Sequence, residues 1–403
     1  MKKYFAKGKT VAATAMAALL VSTTAFAAEK PQESIPATEI LTIEEAQALE
    51  AQKEKELTFE EAVELATKNS SDLRSVAETA DYLQDLKEDI WDITGSFSVP
   101  TVSYQQWVDD DIYAIYSSIQ NISSSMTKNR YSEELTKISL EATVKNYYTS
   151  IFSDQSSLEL AKKDMEVKKT LWEQGQRKNQ LGLLSDYDLN TLRSDYEQAQ
   201  YNVAKLEMAL EQEYLSFYNF IGEDREKDYT LVYDVEYAPY ELPQPMTQYI
   251  NNKMNTDYTI KLQEQAVEDA EFNKNYMSMS STNATSANNK HSYEEAKRSL
   301  KTAKDSKELA IQNAYNSILS LESQYDSAVT TLEQAEAAQR AAEVNYKAGN
   351  TTAITLDQAA LAVEQAQNAV TQLEYAHDMQ IYQFENTELL SSGSGSTAAK
   401  TTA

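Results

Sequence analysis

Few side chains in this sequence have types and spacing suited to covalent or proton-transfer chemistry. The chain holds two histidines and no cysteine, which excludes thiolate nucleophiles, thiolate metal sites and disulfides together. His291 lies in a run rich in Ser and Asn. His377 occupies a helical position equivalent to Leu210, with no second His near it in sequence to share a metal or relay a proton. A packed histidine is expected there, not a base or a ligand. Asp109, Asp110 and Asp111 could attract a cation, but no further ligands follow at a calcium-loop spacing, and the triplet reads as a solvated turn. No Gly-rich phosphate loop, His-Glu-x-x-His or Gly-x-Ser-x-Gly occurs. The expectation is no enzyme, no cofactor and no metal centre. What recurs is turn chemistry, at Gly182, Ser185, Asp186 and Asp188 and again at Gly349, Thr352, Thr355 and Asp357. In each set a Gly stands just past a helical run, and a hydroxyl three positions on can cap the next helix.

Long helices must position those turns. A shift of 167 places Gly182 on Gly349, Leu189 on Leu356, Val203 on Val370, Leu206 on Leu373 and Phe217 on Phe384, so the chain is a duplicated helical hairpin. Before the second turn, Ile311, Ala314, Ile318, Leu321, Tyr325, Ala328, Leu332, Ala335, Gln339, Ala342 and Tyr346 recur at alternating spacings of three and four. This is a coiled-coil seam. Val144, Tyr147, Ile151, Asp154, Leu158, Ala161, Met165, Lys168 and Trp172 repeat it with polar interruptions. The pattern predicts long helices over residues 128–181 and 293–346, each followed by a return helix. A leading helix is predicted over residues 58–92, opened by the capping pattern Leu57-Thr58-Phe59-Glu60-Glu61-Ala62, and its counterpart over residues 246–275. Matching Asp72-Leu73 to Asp257-Tyr258 sets that pair at a shift of 185. The fold class is mainly all-α: duplicated long antiparallel hairpins forming an elongated coiled-coil bundle.

Residues 1–27 carry Lys2, Lys3, Lys7 and Lys9, an apolar middle and Ala25-Phe26-Ala27, the pattern of a secretory signal peptide. Residues 28–56 form an acidic extension, 57–222 the first repeat, 223–245 a connector outside the rod with a short strand at 229–237, and 246–390 the second repeat. Within the repeats, residues 94–127 are a loop with room for one or two short strands, and 276–292 a polar loop; residues 391–403 are expected to be a disordered tail. No stretch after the signal approaches the roughly 18–20 apolar residues of a spanning helix. The net charge of −27 becomes −31 without the four signal lysines, which disfavours nucleic acid and anionic lipid and favours cationic partners or solubility.

The signal peptide, the Leu-Thr-Phe-Glu-Glu-Ala opening with Asn69-Ser70-Ser71-Asp72-Leu73 after it, the Gly-x-x-Ser-x-x-Asp-Leu turn and the second copy of the whole resemble the TolC-like outer-membrane efflux proteins, over residues 57–389. The resemblance implies an α-barrel protomer, a homotrimer, and hairpin tips forming a closable mouth that meets an adaptor (membrane fusion protein) and an inner-membrane transporter. Gly182, Ser185 and Asp188, with Asp186 beside them, match the first tip. Gly349 and Thr352 match the second, but Thr355 stands where an Asp is expected, and Asp357 is the nearest carboxylate. These residues are either an ion-selective aperture and adaptor contact or turn chemistry alone. The family's membrane barrel has twelve strands, two per repeat. A membrane strand takes about 9–11 residues, so the 17 residues of 276–292 cannot supply a pair and no complete barrel is expected. Two functions follow. One is a non-enzymatic efflux conduit in the cell envelope, at an outer membrane or outside the cytoplasmic membrane of a single-membrane cell. The other is an exported structural or interaction rod that has lost the channel.

Overall fold

The computed structural model describes residues 56–98, 110–224, 229–277 and 283–390. The expected signal segment, nearly all of the acidic extension, Asp109 and the tail lie outside them. At the start of the first repeat the capping pattern forms as read. Thr58 Oγ1 accepts the Glu61 amide at 3.3 Å, and Glu61 Oε2 accepts the Thr58 amide at 3.0 Å, closing the first turn of α1 (Phe59–Asn69). The expected single leading helix is two. Ser70 is extended, and its hydroxyl accepts the Leu73 amide to begin α2 (Ser71–Thr94). The second repeat breaks likewise: α5 (Met246–Thr256) stops at Asp257, whose carboxylate accepts the Thr259 and Ile260 amides and begins α6 (Tyr258–Phe272). Phe59 therefore answers Met246 and Ser70 answers Asp257, a shift of 187 that replaces the shift of 185.

The long helices begin well before their expected starts. Helix α3 is Asp110–Gln180 and α7 is Asn283–Lys347, about 106 Å and 98 Å long at about 1.5 Å per residue. The reading of 94–127 as loop or barrel remnant thus fails from Asp110 onward, and that of 276–292 as polar loop fails from Asn283 onward. A π turn, Asn273–Met277, precedes the second of these. Local composition misleads here because tertiary contacts outweigh weak propensity. Ser118 and Thr127 donate back to the carbonyls of Ala114 and Ser123, so their hydroxyls do not break the helix. Asp269 of α6 takes Ser124 Oγ at 2.7 Å and Lys128 Nζ at 2.6 Å. Tyr131 packs on Tyr258.

The return helices are α4 (Asp186–Ile221) and α8 (Ala353–Glu385). Helix α3 pairs with α4 through Gln155–Tyr214, Lys162–Glu207 and the Trp172–Tyr196 ring stack. Across the repeats it pairs with α8 through Lys145–Asp378, Ser153–Gln372, Ser156–Asn368 and Lys163–Glu364. In both series the number rises on α3 as it falls on the partner, so both partners run antiparallel to α3 and the two hairpin bends lie at the same end. At the other end α2 and α6 pack on α3, and α6 also packs on α7. Helix α4 ends where α2 begins, with Asn69 Nδ2 on the Ile221 carbonyl at 2.7 Å. Helix α8 ends where α6 begins, with Thr387 Oγ1 on Asp257 Oδ2 at 2.8 Å. The result is a wall of four columns, in which two pairs of shorter helices stand end to end beside α3 and α7.

The core sits at those joints. Val144, Tyr148, Ile151, Phe217, Ile221 and Leu231 form one cluster, and Tyr249, Ile250, Ile311, Ile318 and Phe384 another. Toward the bends the seam thins: Leu321, Ala328, Leu332 and Ala335 are half-buried, and the seam residue Tyr346 is exposed. The connector does not lie outside the rod. Its strand β2 (Thr230–Val232) pairs in parallel with β1 (Glu56–Thr58), Leu57 opposite Leu231, a partner that the sequence reading missed. Beyond β2, Tyr233 stacks on Tyr375, Tyr237 on Tyr325, and Tyr240 meets Phe384 edge-on. The aromatic side chains make the connector a strap across one face. Among the described residues, no helix is long and apolar enough to cross a membrane.

Candidate functional site

The two bends are built alike. After α3, Gly182 turns left-handed at φ 70°, donating to the Asn179 carbonyl at 2.8 Å while the Leu183 amide reaches Lys178 at 2.8 Å. Gly349 does the same after α7 at φ 75°, with bonds to Tyr346 at 2.9 Å and from Asn350 to Asn345 at 2.8 Å. Ser185 caps α4 by accepting the Asp188 amide at 3.1 Å and donating to Asp188 Oδ2 at 2.7 Å. Asn179 ties the bend shut from within, with Nδ2 on the Leu184 carbonyl and on Asp186 Oδ1 at 2.8 Å. In the second bend Thr352 caps α8 from the position of Ser185, and its hydroxyl lies 3.1 Å from that of Thr355.

Thr355 therefore takes over the capping contact of Asp188, and Asp357 joins neither cap. All eight candidate residues are exposed and lie at or just after the two bends. Around them are apolar side chains that the sequence reading did not single out. Leu181 and Leu183 are each 73% exposed, Tyr187 80% and Val344 66%. The available signal was their placement off the seam, within a few residues of a helix-ending Gly. Such a surface is suited to covering by a partner, not to bond chemistry.

Elsewhere, His377 is buried in the wall, Nε2 3.3 Å from Glu322 Oε1 and under the Tyr237 ring, as a packed histidine. His291 is exposed on α7, with Glu295 at 3.8 Å beside it. Among the described residues no three His, Asp or Glu are grouped to hold a metal ion.

No protein-family model matches the sequence, and no curated protein matches it. Solved structures do match its fold. The outer membrane protein VceC of Vibrio cholerae aligns over 82% of this chain and 96% of its own, with a TM-score of 0.58 at 10% identity. The Campylobacter jejuni CmeC outer membrane channel aligns over 92% and 93%, with a TM-score of 0.59 at 12% identity. The open state of the Neisseria gonorrhoeae MtrE outer membrane channel aligns over 82% and 89%, with a TM-score of 0.56 at 14% identity. CmeC and MtrE are outer membrane channels. With two antiparallel helical hairpins bent at one end, a strap across the middle and, among the described residues, almost no strand, this chain has the TolC-like fold.

Proposed function

We propose that the chain is one protomer of an export conduit, exported by its signal peptide, in which three copies close their walls into a helical tube. The tube works without catalysis, with the exposed bends meeting an adaptor of the membrane-fusion type coupled to a transporter in the cytoplasmic membrane. The observation that carries the reading is the wall itself. Both bends lie at one end, and a side column is left with little cover: on α2 only Leu83 is buried, while Tyr82, Trp91 and Ile93 are 61%, 55% and 76% exposed. Neighbouring copies would cover that edge. The bends add exposed Leu181, Leu183 and Tyr187 beside Asp186 and Asp188, an apolar and acidic surface for the adaptor.

The second reading, an envelope rod without a channel, is favoured by one length. Residues 278–282 are all that lie between the π turn and α7, against about 9–11 residues for a single membrane-crossing strand. The second repeat cannot supply its two strands, so the envelope location does not rest on a barrel of the family's kind. Size-exclusion chromatography with light scattering and negative-stain imaging separates the readings. A stable hollow trimer is expected; a monomeric rod would replace the conduit with the second reading. Binding of a candidate adaptor hairpin should weaken in Asp188→Ala and Gly349→Ala variants, and unchanged binding would remove the bends from the adaptor contact.

A further inference from the structure

Across α3 from the strap the wall is uncovered and indented. Tyr148 and Phe152 face the strap, and Tyr148 also meets β1 and Phe59 of α1. Asn146 and Ser150, each two positions away and so about 200° around the helix, face the opposite side. There α3 forms the floor of a cavity of about 390 Å³ with α4 and α8 as its banks, lined by Asn146, Tyr147, Ser150, Glu213, Gln372 and Tyr375 among others.

The electrostatics of this trough are one-sided. Glu213 has no cationic partner among the described residues, because the lysines of this stretch of α3 are committed elsewhere: Lys145 to Asp378, Lys162 to Glu207 and Lys163 to Glu364. Asp154 stands against the same carboxylate, and burial, then the Glu213 charge, hold its own carboxyl above the ordinary range. Thr149 Oγ1, buried in the lining, stands beside the Tyr233 hydroxyl without meeting any partner at hydrogen-bonding geometry. Aromatic faces, hydroxyls, two amides and an uncompensated acid make a concave surface that attracts a cation with an apolar body and repels an anion.

We propose that this trough is a binding site for lipophilic organic cations, quaternary ammonium or phosphonium in type, with the charge at Glu213 and the apolar body across Tyr147 and Tyr375. Binding is a property of the single chain. That such cations are also cargo rests on the conduit reading, in which the strap-free face lines the tube.

The test is isothermal titration calorimetry on the full chain with tetraphenylphosphonium, using tetraphenylborate as the anion of matching shape. The cation should bind one per chain and the anion should not. Glu213→Gln and Tyr375→Ala, checked for unchanged helicity, should each weaken the cation about five- to tenfold, while Glu308→Gln, an exposed carboxylate on α7 away from the trough, should leave it unchanged. Equal weakening by Glu308→Gln would reduce the effect to diffuse attraction by an acidic protein and overturn the site. Absence of binding, or full binding in Glu213→Gln, would also overturn it. The mass of the assembly in the same samples keeps the two ideas apart: a monomer that binds the cation sinks the conduit and keeps the site, and a trimer that does not bind sinks only the site.

Discussion

Replacing Lys307 with Met tests how the two-helix column of the second repeat is held in line. Lys307 and Asp257 are 3% and 0% exposed, with Nζ 3.0 Å from Oδ2, 2.8 Å from the Thr387 carbonyl and 3.2 Å from that of Leu390. The Asp257 carboxylate keeps other donors, the Thr259 and Ile260 amides and the hydroxyls of Thr259 and Thr387. Met fills similar volume but leaves a buried charge without a counter-ion and two carbonyls without their donor, a loss of about 3–5 kcal/mol. The pH dependence has a definite sign. Burial by itself would raise the Asp257 carboxyl, but the Thr259 hydrogen bond, the Lys307 charge and the Thr387 hydrogen bond leave it below the ordinary range. In the native protein this group contributes stability that is present above the unfolded carboxylate value of about 4 and is lost as pH falls through the lower folded value. In Lys307→Met the lowering charge is gone and burial dominates, so protonation relieves the variant and its deficit shrinks between pH 7 and pH 4. Urea unfolding followed by circular dichroism at several pH values measures this, with Asp257→Asn alone and combined to complete a double-mutant cycle. The double variant should be more stable than Lys307→Met at pH 7. A deficit under about 1 kcal/mol, or one that does not change with pH, would refute the claim that a buried ion pair fastens the joint.

The other expectations concern single contacts. Gly222 has φ 71°, and a Cβ there would meet Asn69 Cβ at 2.7 Å, so Gly222→Ala should cost clearly more than Gly182→Ala, where φ is 70° but the space is open and only backbone strain of about 1–2 kcal/mol applies. Comparable melting temperatures for the two would contradict this. Tyr148→Phe keeps the ring contacts with Phe59 and Phe217 but removes the hydroxyl on the β1 carbonyls, with an expected loss of about 1 kcal/mol in urea unfolding. Ser185→Ala should cost about 1 kcal/mol and speed amide exchange in the first turn of α4 without affecting α8. Burial, then the Glu374 charge, push the Tyr325 hydroxyl up to about 12, so it should resist ionisation in an alkaline absorbance titration. Because the folded state favours the neutral phenol, its contribution is present below pH 10 and fades as pH rises through 12.

The hairpins were legible because a seam repeating at three and four is written by the packing it produces: Ile311, Ala314 and Ile318 are buried where the spacing puts them. The bends were legible because a Gly stop and a hydroxyl cap are local chemistry, complete within a few residues. The role of Asp188 was legible only as a pair of alternatives, and the structure adds the bond to Ser185 that makes it a capping group. The early starts of α3 and α7 were not legible. Ser, Thr and Asn dominate both stretches and obscure the three-and-four spacing of Ile112, Ile115, Ile119 and Ile122 in α3; the contacts that hold them include Asp269, more than a hundred positions from the start of α3, on Ser124, and the Asn273 carbonyl on Asn289 of α7. The strap was half legible: its alternating tyrosines announced a strand, but not that β1 would pair with it or that helix faces would receive the rings.

The breaks at Ser70 and Asp257 carry the argument about the far end further than composition could. They fix the leading helices at a shift of 187, against 167 at the bends, so the first repeat spends 20 more residues than the second between its cap and its bend. Five residues, 278–282, separate the π turn from α7 in the second repeat, and fifteen, 95–109, separate α2 from α3 in the first. A closed barrel needs every strand, since an open edge in lipid leaves backbone groups unsatisfied at several kcal/mol each. The end of the wall opposite the bends therefore differs between repeats, while the bends and the four-column packing do not. Alternating short and long crossings around a tube would give its far rim a threefold unevenness, which class averages viewed down the axis of a trimer would reveal and a rim of equal crossings would deny.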